Sequence, residues 1–250
     1  MQKLNKIFIT TFILIVFIGI DSLANKGFKA SISMGNGYAI QEFASANNKY
    51  YDAGFAESGF TLSFDGDYYF HNRFALSGRF YFGMSSINNE KNIDFLKNHM
   101  DSYYNADSVY TNIKYWQWSS PMIGAKYNYP IIINRLYIEA GVFSGITITP
   151  IPTQTMIVTN PDNNQTIVSE NIDTRSISIP LMFDTAIRLK LNKSIQLKLS
   201  ASYFRTKTKY QHALYTVQSN TQEFINEIDM LNMQVPVSTI NFGIGLVYSL

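Results

Sequence analysis

The chain has 250 residues, of which 46% are hydrophobic, 15% aromatic and 15% charged, and its net charge is +2. The abundance of Phe and Tyr excludes a disordered chain, and the near-neutral charge excludes a nucleic-acid binder with a basic face. Because there is no cysteine, disulfide frameworks, thiolate metal sites and cysteine nucleophiles are excluded as well.

The first predicted element is an export signal. Lys3 and Lys6 form a basic n-region, the apolar run Ile7–Ile20 follows, and a small-residue cleavage motif ends the segment. No other segment approaches the roughly 20 apolar residues that a membrane-spanning helix needs. We therefore expect a cleaved signal peptide at 1–24 and one domain at 25–250, with an uncleaved N-terminal anchor as the alternative.

Beyond the signal, the hydrophobic period is two, which is typical of strands with two different faces. The last strand shows this most clearly, because Ile240, Phe242, Ile244 and Leu246 alternate with small or polar residues. Eight segments of this kind follow one another along the chain: Phe28–Gly35, Phe60–Phe70, Phe74–Phe82, Tyr115–Tyr129, Leu136–Ile146, Ile177–Leu189, Ile195–Tyr203 and Ile240–Leu250.

The connections between these segments alternate in length. Short links lie at 71–73, 130–135 and 190–194, whereas long links lie at 36–59, 83–114, 147–176 and 205–238. In an antiparallel meander, all short links therefore fall at one end of the sheet and all long links at the other. The pattern predicts an all-β fold, an eight-stranded antiparallel up-and-down transmembrane β-barrel with four long extracellular loops and short periplasmic turns.

Charges are confined to one face of the predicted strands. The other face is uncharged and apolar, as in Ile32, Phe64, Leu181, Leu199 and Ile244. Since charged side chains facing lipid are costly and buried charges need partners, we expect a structural salt-bridge network in the barrel lumen. Its members are Asp65, Asp67, Arg79, Lys126, Glu139, Asp184, Arg188 and Lys198.

Alternation alone leaves a second architecture open, since a soluble lipocalin-type barrel would turn the apolar face inward. An eight-stranded interior is too narrow for so many bulky side chains, which favours the membrane barrel. Aromatic residues also gather at the two strand ends, as interfacial girdles do. Those near the short turns are Tyr68, Phe70, Phe74, Tyr127, Tyr129, Tyr137 and Tyr248, and those near the long loops are Phe82, Tyr115, Trp116, Trp118, Tyr203 and Phe204.

The signal, the eight strands and the final segment 242–250 resemble the small outer-membrane barrels of Gram-negative bacteria, of the OmpA/OmpX type. The segments Ile179–Leu181 and Ser120–Tyr127 are similar to the outer membrane protein beta-barrel domain widespread in Bacteroidota. The resemblance implies a location in the outer membrane, with membrane lipid and the barrel-assembly machinery as partners. Leu250 departs from the terminal aromatic that is usual in this class.

The residues give no sign of an enzyme. His71 lies in a predicted turn, while His99 and His212 lie in long loops without a nearby serine elbow. No His or carboxylate group has metal-ligand spacing. We therefore predict no catalytic residue, metal or cofactor.

The long loops are the part of the chain most free to contact partners. Residues 155–159 and 165–169 flank a turn motif and predict a hairpin. Helical spacing of Ile93, Leu96, Met100 and Tyr103, and of Phe224, Ile228 and Leu231, predicts two short helices. Candidate contact residues are aromatic, because such residues are enriched in binding hot spots: Tyr50, Tyr51, Phe55, Tyr103, Tyr104, Tyr110, Tyr210 and Tyr215.

These features favour a non-enzymatic outer-membrane protein whose loops contact a surface protein or a glycan, or which supports the envelope. A narrow porin is the main alternative, because the predicted lumen is polar. A lipid-modifying outer-membrane enzyme and a soluble ligand-binding barrel are further alternatives.

Overall fold

The structure is a computed structural model that describes residues 27–45, 54–94, 108–133, 135–160, 165–171, 175–210, 213–219, 222–228 and 233–249. The predicted signal peptide lies outside these residues. Within the described ranges, no helix is long and apolar enough to cross a membrane.

Fifteen antiparallel strands account for most of the described chain. They are β1 (Phe28–Ala39), β2 (Ala56–Tyr69), β3 (Phe74–Ile87), β4 (Ser108–Ile113), β5 (Tyr115–Ile132), β6 (Leu136–Gly145), β7 (Thr147–Pro150), β8 (Gln154–Asn160), β9 (Gln165–Asn171), β10 (Arg175–Ser178), β11 (Pro180–Lys190), β12 (Ile195–Tyr210), β13 (Ala213–Ser219), β14 (Gln222–Ile228) and β15 (Met233–Ser249). A short 3₁₀ helix, η1, spans Gln41–Phe43.

Eight of these strands pair in a closed ring. In ring order they are β1, β2, β3, β5, β6, β11, β12 and β15, and β15 pairs back onto β1. The closing register places Ser33 opposite Gly245 and Ile32 opposite Leu246. The predicted eight-stranded up-and-down barrel is therefore confirmed.

The strands continue well into the predicted long loops. Strands β7 and β10 pair with each other and extend β6 and β11. Beyond them a second sheet has the order β14-β13-β9-β8-β4. The predicted hairpin is confirmed, because Thr155 lies opposite Glu170 and Asn160 opposite Gln165. Much of 147–176 and 205–238 is thus strand, and in 147–176 the strand content extends beyond the predicted hairpin. We call this second sheet the outer sheet and this end of the barrel the loop end.

Tight connections close the opposite end, which we call the turn end. The amide and carbonyl of His71 and Phe74 bond reciprocally, with N to O distances of 3.4 and 3.2 Å. In another turn, the Asn192 Oδ1 accepts hydrogen bonds from the amides of Ser194 and Ile195, at 2.9 and 2.7 Å. Such side-chain caps fix short hairpins by replacing missing ladder bonds.

The two faces of the wall have opposite polarity. Over the middle of the wall, outward-facing side chains are apolar and exposed, as in Ile123 at 72%, Leu199 at 51% and Ile244 at 52%. Inward-facing charged residues are buried, and Lys126 and Glu139 are each only 1% exposed. The lipocalin-type alternative is wrong for this chain, because that architecture places the apolar face inside.

One of the two predicted aromatic girdles is present, and the prediction of the other is partly wrong. At the turn end, Phe70, Phe74, Tyr129 and Tyr248 are exposed on the outer wall. At the loop end, Tyr115 is exposed, but three predicted girdle residues are buried inside the barrel. These three are Trp116, Trp118 and Phe204. They share the strand parity of Lys126 and Lys198, which places them on the inner face.

The two predicted loop helices have different outcomes. Residues 89–94 are helical, and the Asn88 Oδ1 caps this segment by accepting the amide of Lys91 at 3.0 Å. The segment includes Ile93, whereas Leu96, Met100 and Tyr103 lie outside the described residues. The second predicted helix is wrong, since Phe224 and Ile228 lie on β14; Leu231 is outside the described residues.

Candidate functional site

The barrel interior contains the eight charged residues that the sequence assigned to it. They are contributed by six neighbouring strands, from β2 to β12, and each is buried. We call them the ionic cluster: Asp65, Asp67, Arg79, Lys126, Glu139, Asp184, Arg188 and Lys198. Four are acidic and four are basic, so the cluster is electrically balanced.

Asp65 lies at the centre of the ionic cluster. Its Oδ1 is 2.7 Å from Nε of Arg79, and its Oδ2 is 2.9 Å from Nζ of Lys126 and 3.3 Å from Nζ of Lys198. Ser31 also donates its hydroxyl to Oδ2, at 3.2 Å. Three cations from three different strands therefore converge on one carboxylate whose side chain is 0% exposed.

The remaining acids connect these cations to one another. Nη2 of Arg79 is 2.7 Å from Asp184, and Nζ of Lys126 is 2.8 Å from Asp67. Arg188 approaches Glu139 at 3.2 Å, as an ion pair without an aligned hydrogen bond. Because every cation has a carboxylate within ion-pair distance, the cluster links the walls of the barrel electrostatically.

An aromatic layer lies on the loop-end side of the ionic cluster. Phe43 of η1 is 0% exposed and packs edge-to-face on Trp116 and Trp118, with ring centroids 5.8 and 5.9 Å away. Trp118 stacks on Phe204 at 6.0 Å, and Phe204 meets Tyr81 at 5.1 Å. The aromatic layer also includes Ile87, Met122, Phe143, Met182, Tyr210, Val235 and Val237.

Two features anchor this layer. Nε1 of Trp116 donates to the carbonyl oxygen of Gly54 at 2.7 Å, which ties the first loop to the wall. Gly83 leaves room for the other indole, because a Cβ at this position would lie 2.2 Å from the Trp118 ring. The loop end is therefore closed by side chains from the wall and from η1.

Arg79 joins the two layers. Its guanidinium lies 4.0 Å from the centroid of the Phe143 ring and 3.5 Å from Sδ of Met182, while its other side binds Asp65 and Asp184. A cavity of about 20 Å³ adjoins this junction and is lined by hydroxyl-bearing residues such as Ser33, Tyr81 and Ser200. That volume holds about one water molecule.

Two of the predicted loop contacts, Tyr210 and Phe55, are wholly or partly buried rather than exposed to a partner. Tyr210 is 1% exposed and donates its hydroxyl to the carbonyl of Thr149 at 3.3 Å. Phe55 is half-buried and packs against the aromatic layer. Tyr210 is therefore not available to a partner, because its ring packs inward at the end of β12.

Of the other six candidate contacts, two lie on strands of the outer sheet and four lie outside the described residues. Tyr110 lies on β4 and Tyr215 on β13, both in the outer sheet. Tyr50, Tyr51, Tyr103 and Tyr104 lie outside the described residues.

Sequence reasoning missed the aromatic layer. Strand parity would have found most of it, since Trp116 and Trp118 alternate with outward residues in register with the inward Lys126. Phe43 carries no such signal, because it comes from a loop helix. Among the described residues, no group of three or more His, Cys, Asp or Glu could hold a metal ion.

No family model matches the chain, and no curated protein matches it in sequence. Solved structures share features of the fold at low similarity. The chain is similar to neisserial surface protein A, with 12% identity, a TM-score of 0.46, and coverage of 89% of this chain and 97% of that chain.

Two further solved structures are similar at the same level. A major outer membrane protein from Thermus thermophilus has 9% identity and a TM-score of 0.47, covering 88% of this chain and 98% of that one. Ail, the attachment invasion locus protein of Yersinia pestis, has 12% identity and a TM-score of 0.38, covering 89% and 98%. The barrel assignment for this chain rests on its own strand pairings, which close the ring.

Proposed function

We propose that this chain is a non-enzymatic barrel of a bacterial outer membrane, which presents its outer sheet at the cell surface to bind a protein or a glycan. The observation that carries the proposal is the inverted polarity of the wall. Exposed aliphatic and aromatic side chains surround the barrel, and the ionic cluster lies inside. An uncovered apolar belt of this size is not compatible with water, whereas a bilayer satisfies it.

The filled interior argues against transport as the main activity. The ionic cluster spans the lumen, and the aromatic layer lies above it on the loop-end side. Eight strands leave an interior that side chains can fill, and the cavity of about 20 Å³ beside Arg79 admits no solute. A narrow porin, the main alternative, requires both layers to move aside.

The outer sheet supports a role in surface binding. Its five strands arise from three of the four long connections and form a sheet of their own, separate from the barrel wall. Paired strands present their side chains at fixed spacing, so less order has to be gained when a ligand binds. Functional residues commonly lie on such variable segments carried by a rigid scaffold.

Location and fold are tested together by fractionation and gel mobility. We expect the chain in the outer membrane, cleaved near residue 25, with unboiled and boiled samples that migrate differently. Recovery in the soluble periplasm would contradict the proposal. Planar-bilayer recordings with the same purified protein separate the alternatives, since sustained large-conductance openings would favour the porin.

The binding role is tested by removing one hairpin. Among the described strands, β14 lies at the edge of the outer sheet, and β13 joins the rest of that sheet through β9. Tyr210 and Met233 lie directly opposite each other in register, so a short turn can replace residues 211–232. We expect this deletion to leave the gel shift intact while abolishing adhesion of displaying cells to arrayed glycans and proteins. Unchanged adhesion to every ligand bound by the full chain would refute the role of this hairpin.

A further inference from the structure

Three basic side chains lie on the outer wall near the loop end, and we call them the basic strip: Arg205, Lys207 and Lys209. All three are exposed, whereas the alternate residues Thr206 and Thr208 are buried. The basic strip therefore shares the outward face of β12 with Leu199, which is 51% exposed. Residues two apart on a strand are separated by roughly 6.6 Å, so three positive charges stand in a row.

The basic strip adjoins bare aliphatic surface. Arg205 lies directly opposite Leu181 in the ladder with β11, and the amide of Lys209 donates to Oγ of Ser176 on β10 at 3.0 Å. The outward residues of this neighbouring wall are Leu181, Ile179 and Ile177, which are 43%, 78% and 74% exposed. The basic strip on β12 therefore lies beside an exposed apolar surface on β10 and β11.

Within the described part of the chain, no carboxylate forms a salt bridge with the basic strip. On its other side, Arg205 and Lys207 face Ser238 and Pro236 of β15, which are uncharged and buried. This contrasts with the ionic cluster, where every cation is paired. Three neighbouring cations without a carboxylate partner among the described residues favour an anionic partner.

We propose that the basic strip binds the phosphate groups of a membrane lipid whose acyl chains lie on Ile177, Ile179 and Leu181. The proposal rests on the membrane location proposed above. A lipid fits better than a soluble anion, because its headgroup and chains match the basic and apolar halves of the surface together. Long Arg and Lys stems can lie along apolar wall while their charges reach the headgroup layer.

The test measures lipid binding by the full chain refolded into nanodiscs of phosphatidylcholine with a small fraction of diphosphoryl lipid A. Native mass spectrometry counts the lipid A molecules that remain bound to the protein after it is released from the nanodisc. The variant is Arg205→Gln/Lys207→Gln/Lys209→Gln. Its matched control is Arg135→Gln/Lys190→Gln/Lys193→Gln, which removes the same charge at the turn end.

We expect the basic-strip variant to lose lipid A affinity by about 10-fold to 100-fold, as anionic-surface attraction per basic residue implies, and the control to bind as the unmodified chain does. Equal losses in both variants, or no loss in either, would overturn the proposal. Displacement of lipid A by millimolar inorganic phosphate would also overturn it, by showing a simple phosphate site.

A gel-shift assay confirms that each variant is inserted, and the single variant Lys207→Gln provides a milder change if the triple variant does not insert. The single variant is expected to bind less lipid A than the single control Lys193→Gln, and equal binding would count against the proposal. Failure of the unmodified chain to insert into any nanodisc would refute the membrane location instead.

Discussion

Neutralising the central carboxylate of the ionic cluster is the sharpest test of the interior. Asp65→Asn removes a charge that lies within 3.3 Å of Arg79, Lys126 and Lys198. Arg79 keeps Asp184 at 2.7 Å, but Lys198 then has only carboxylates at 3.6 Å or more. Removing one partner of a buried ion pair costs about 3 to 5 kcal/mol of the free energy of unfolding. Because Arg79 and Lys126 keep other carboxylate partners, we expect a loss near the lower value.

A second substitution separates charge balance from packing. Asp65→Asn leaves four basic and three acidic residues in the ionic cluster, and the double variant Asp65→Asn/Lys198→Met restores three of each. We expect the double variant to be more stable than Asp65→Asn alone. Glu57→Gln is the matched control, because Glu57 is an exposed carboxylate on the same strand, and its effect should stay within about 0.5 kcal/mol.

Urea-induced unfolding from lipid vesicles measures these changes. Trp116 and Trp118 are the only tryptophans in the chain, and both lie in the aromatic layer, so their fluorescence reports on the interior. Unaltered stability of Asp65→Asn would refute the reasoning. The reasoning would also be refuted if the double variant lost as much free energy of unfolding as Asp65→Asn and Lys198→Met lose together, because balanced charge requires the two substitutions to compensate each other.

Three further substitutions test the wall and the aromatic layer. Leu199→Arg, on the apolar wall opposite Ile187 and Ile244, should impair insertion into vesicles by about 2 to 4 kcal/mol, whereas the uncharged Leu199→Phe should insert normally; equal insertion would place Leu199 away from lipid. Gly83→Ala should cost about 1 to 3 kcal/mol through overpacking against an indole, while Gly78→Ala, where an added Cβ meets nothing within 4 Å, should be neutral in the same urea titration. Phe43→Ala should raise acrylamide quenching of the tryptophans, since it removes the ring that covers them at the loop end; unchanged quenching would show that η1 does not close the barrel.

The barrel itself could be predicted from the sequence because its two faces differ so strongly. Alternation identified each wall strand, and the position of Arg79 and Lys126 within that alternation identified the inner face. The predicted strand ends were less accurate, since β12 continues to Tyr210 and β15 begins at Met233. Beyond the apolar belt, the contrast between outward and inward residues weakens, and with it the signal of a strand.

The errors at the loop end have physical causes in the spacing of particular residues. Phe224 and Ile228 are four apart, which fits one face of a helix and one face of a strand equally well. The β13–β14 hairpin decides between them, because it places Phe224 opposite Val217, and the long-range pairing of β13 with β9 holds that hairpin in the outer sheet. The girdle assignment of Trp116 and Phe204 was wrong because it used position along the strand and ignored strand parity.

The inverted wall is tested most directly by a nitroxide scan along β12 in lipid bilayers. The chain has no native cysteine, so Leu199→Cys, Ser200→Cys, Ala201→Cys and Ser202→Cys can each be labelled without background. Collision with lipid-soluble oxygen should be high at Leu199 and Ala201 and low at Ser200 and Ser202, because successive residues of a strand point to opposite faces. Uniform accessibility, or the reverse alternation, would contradict a barrel with its apolar face in the bilayer and its charges inside.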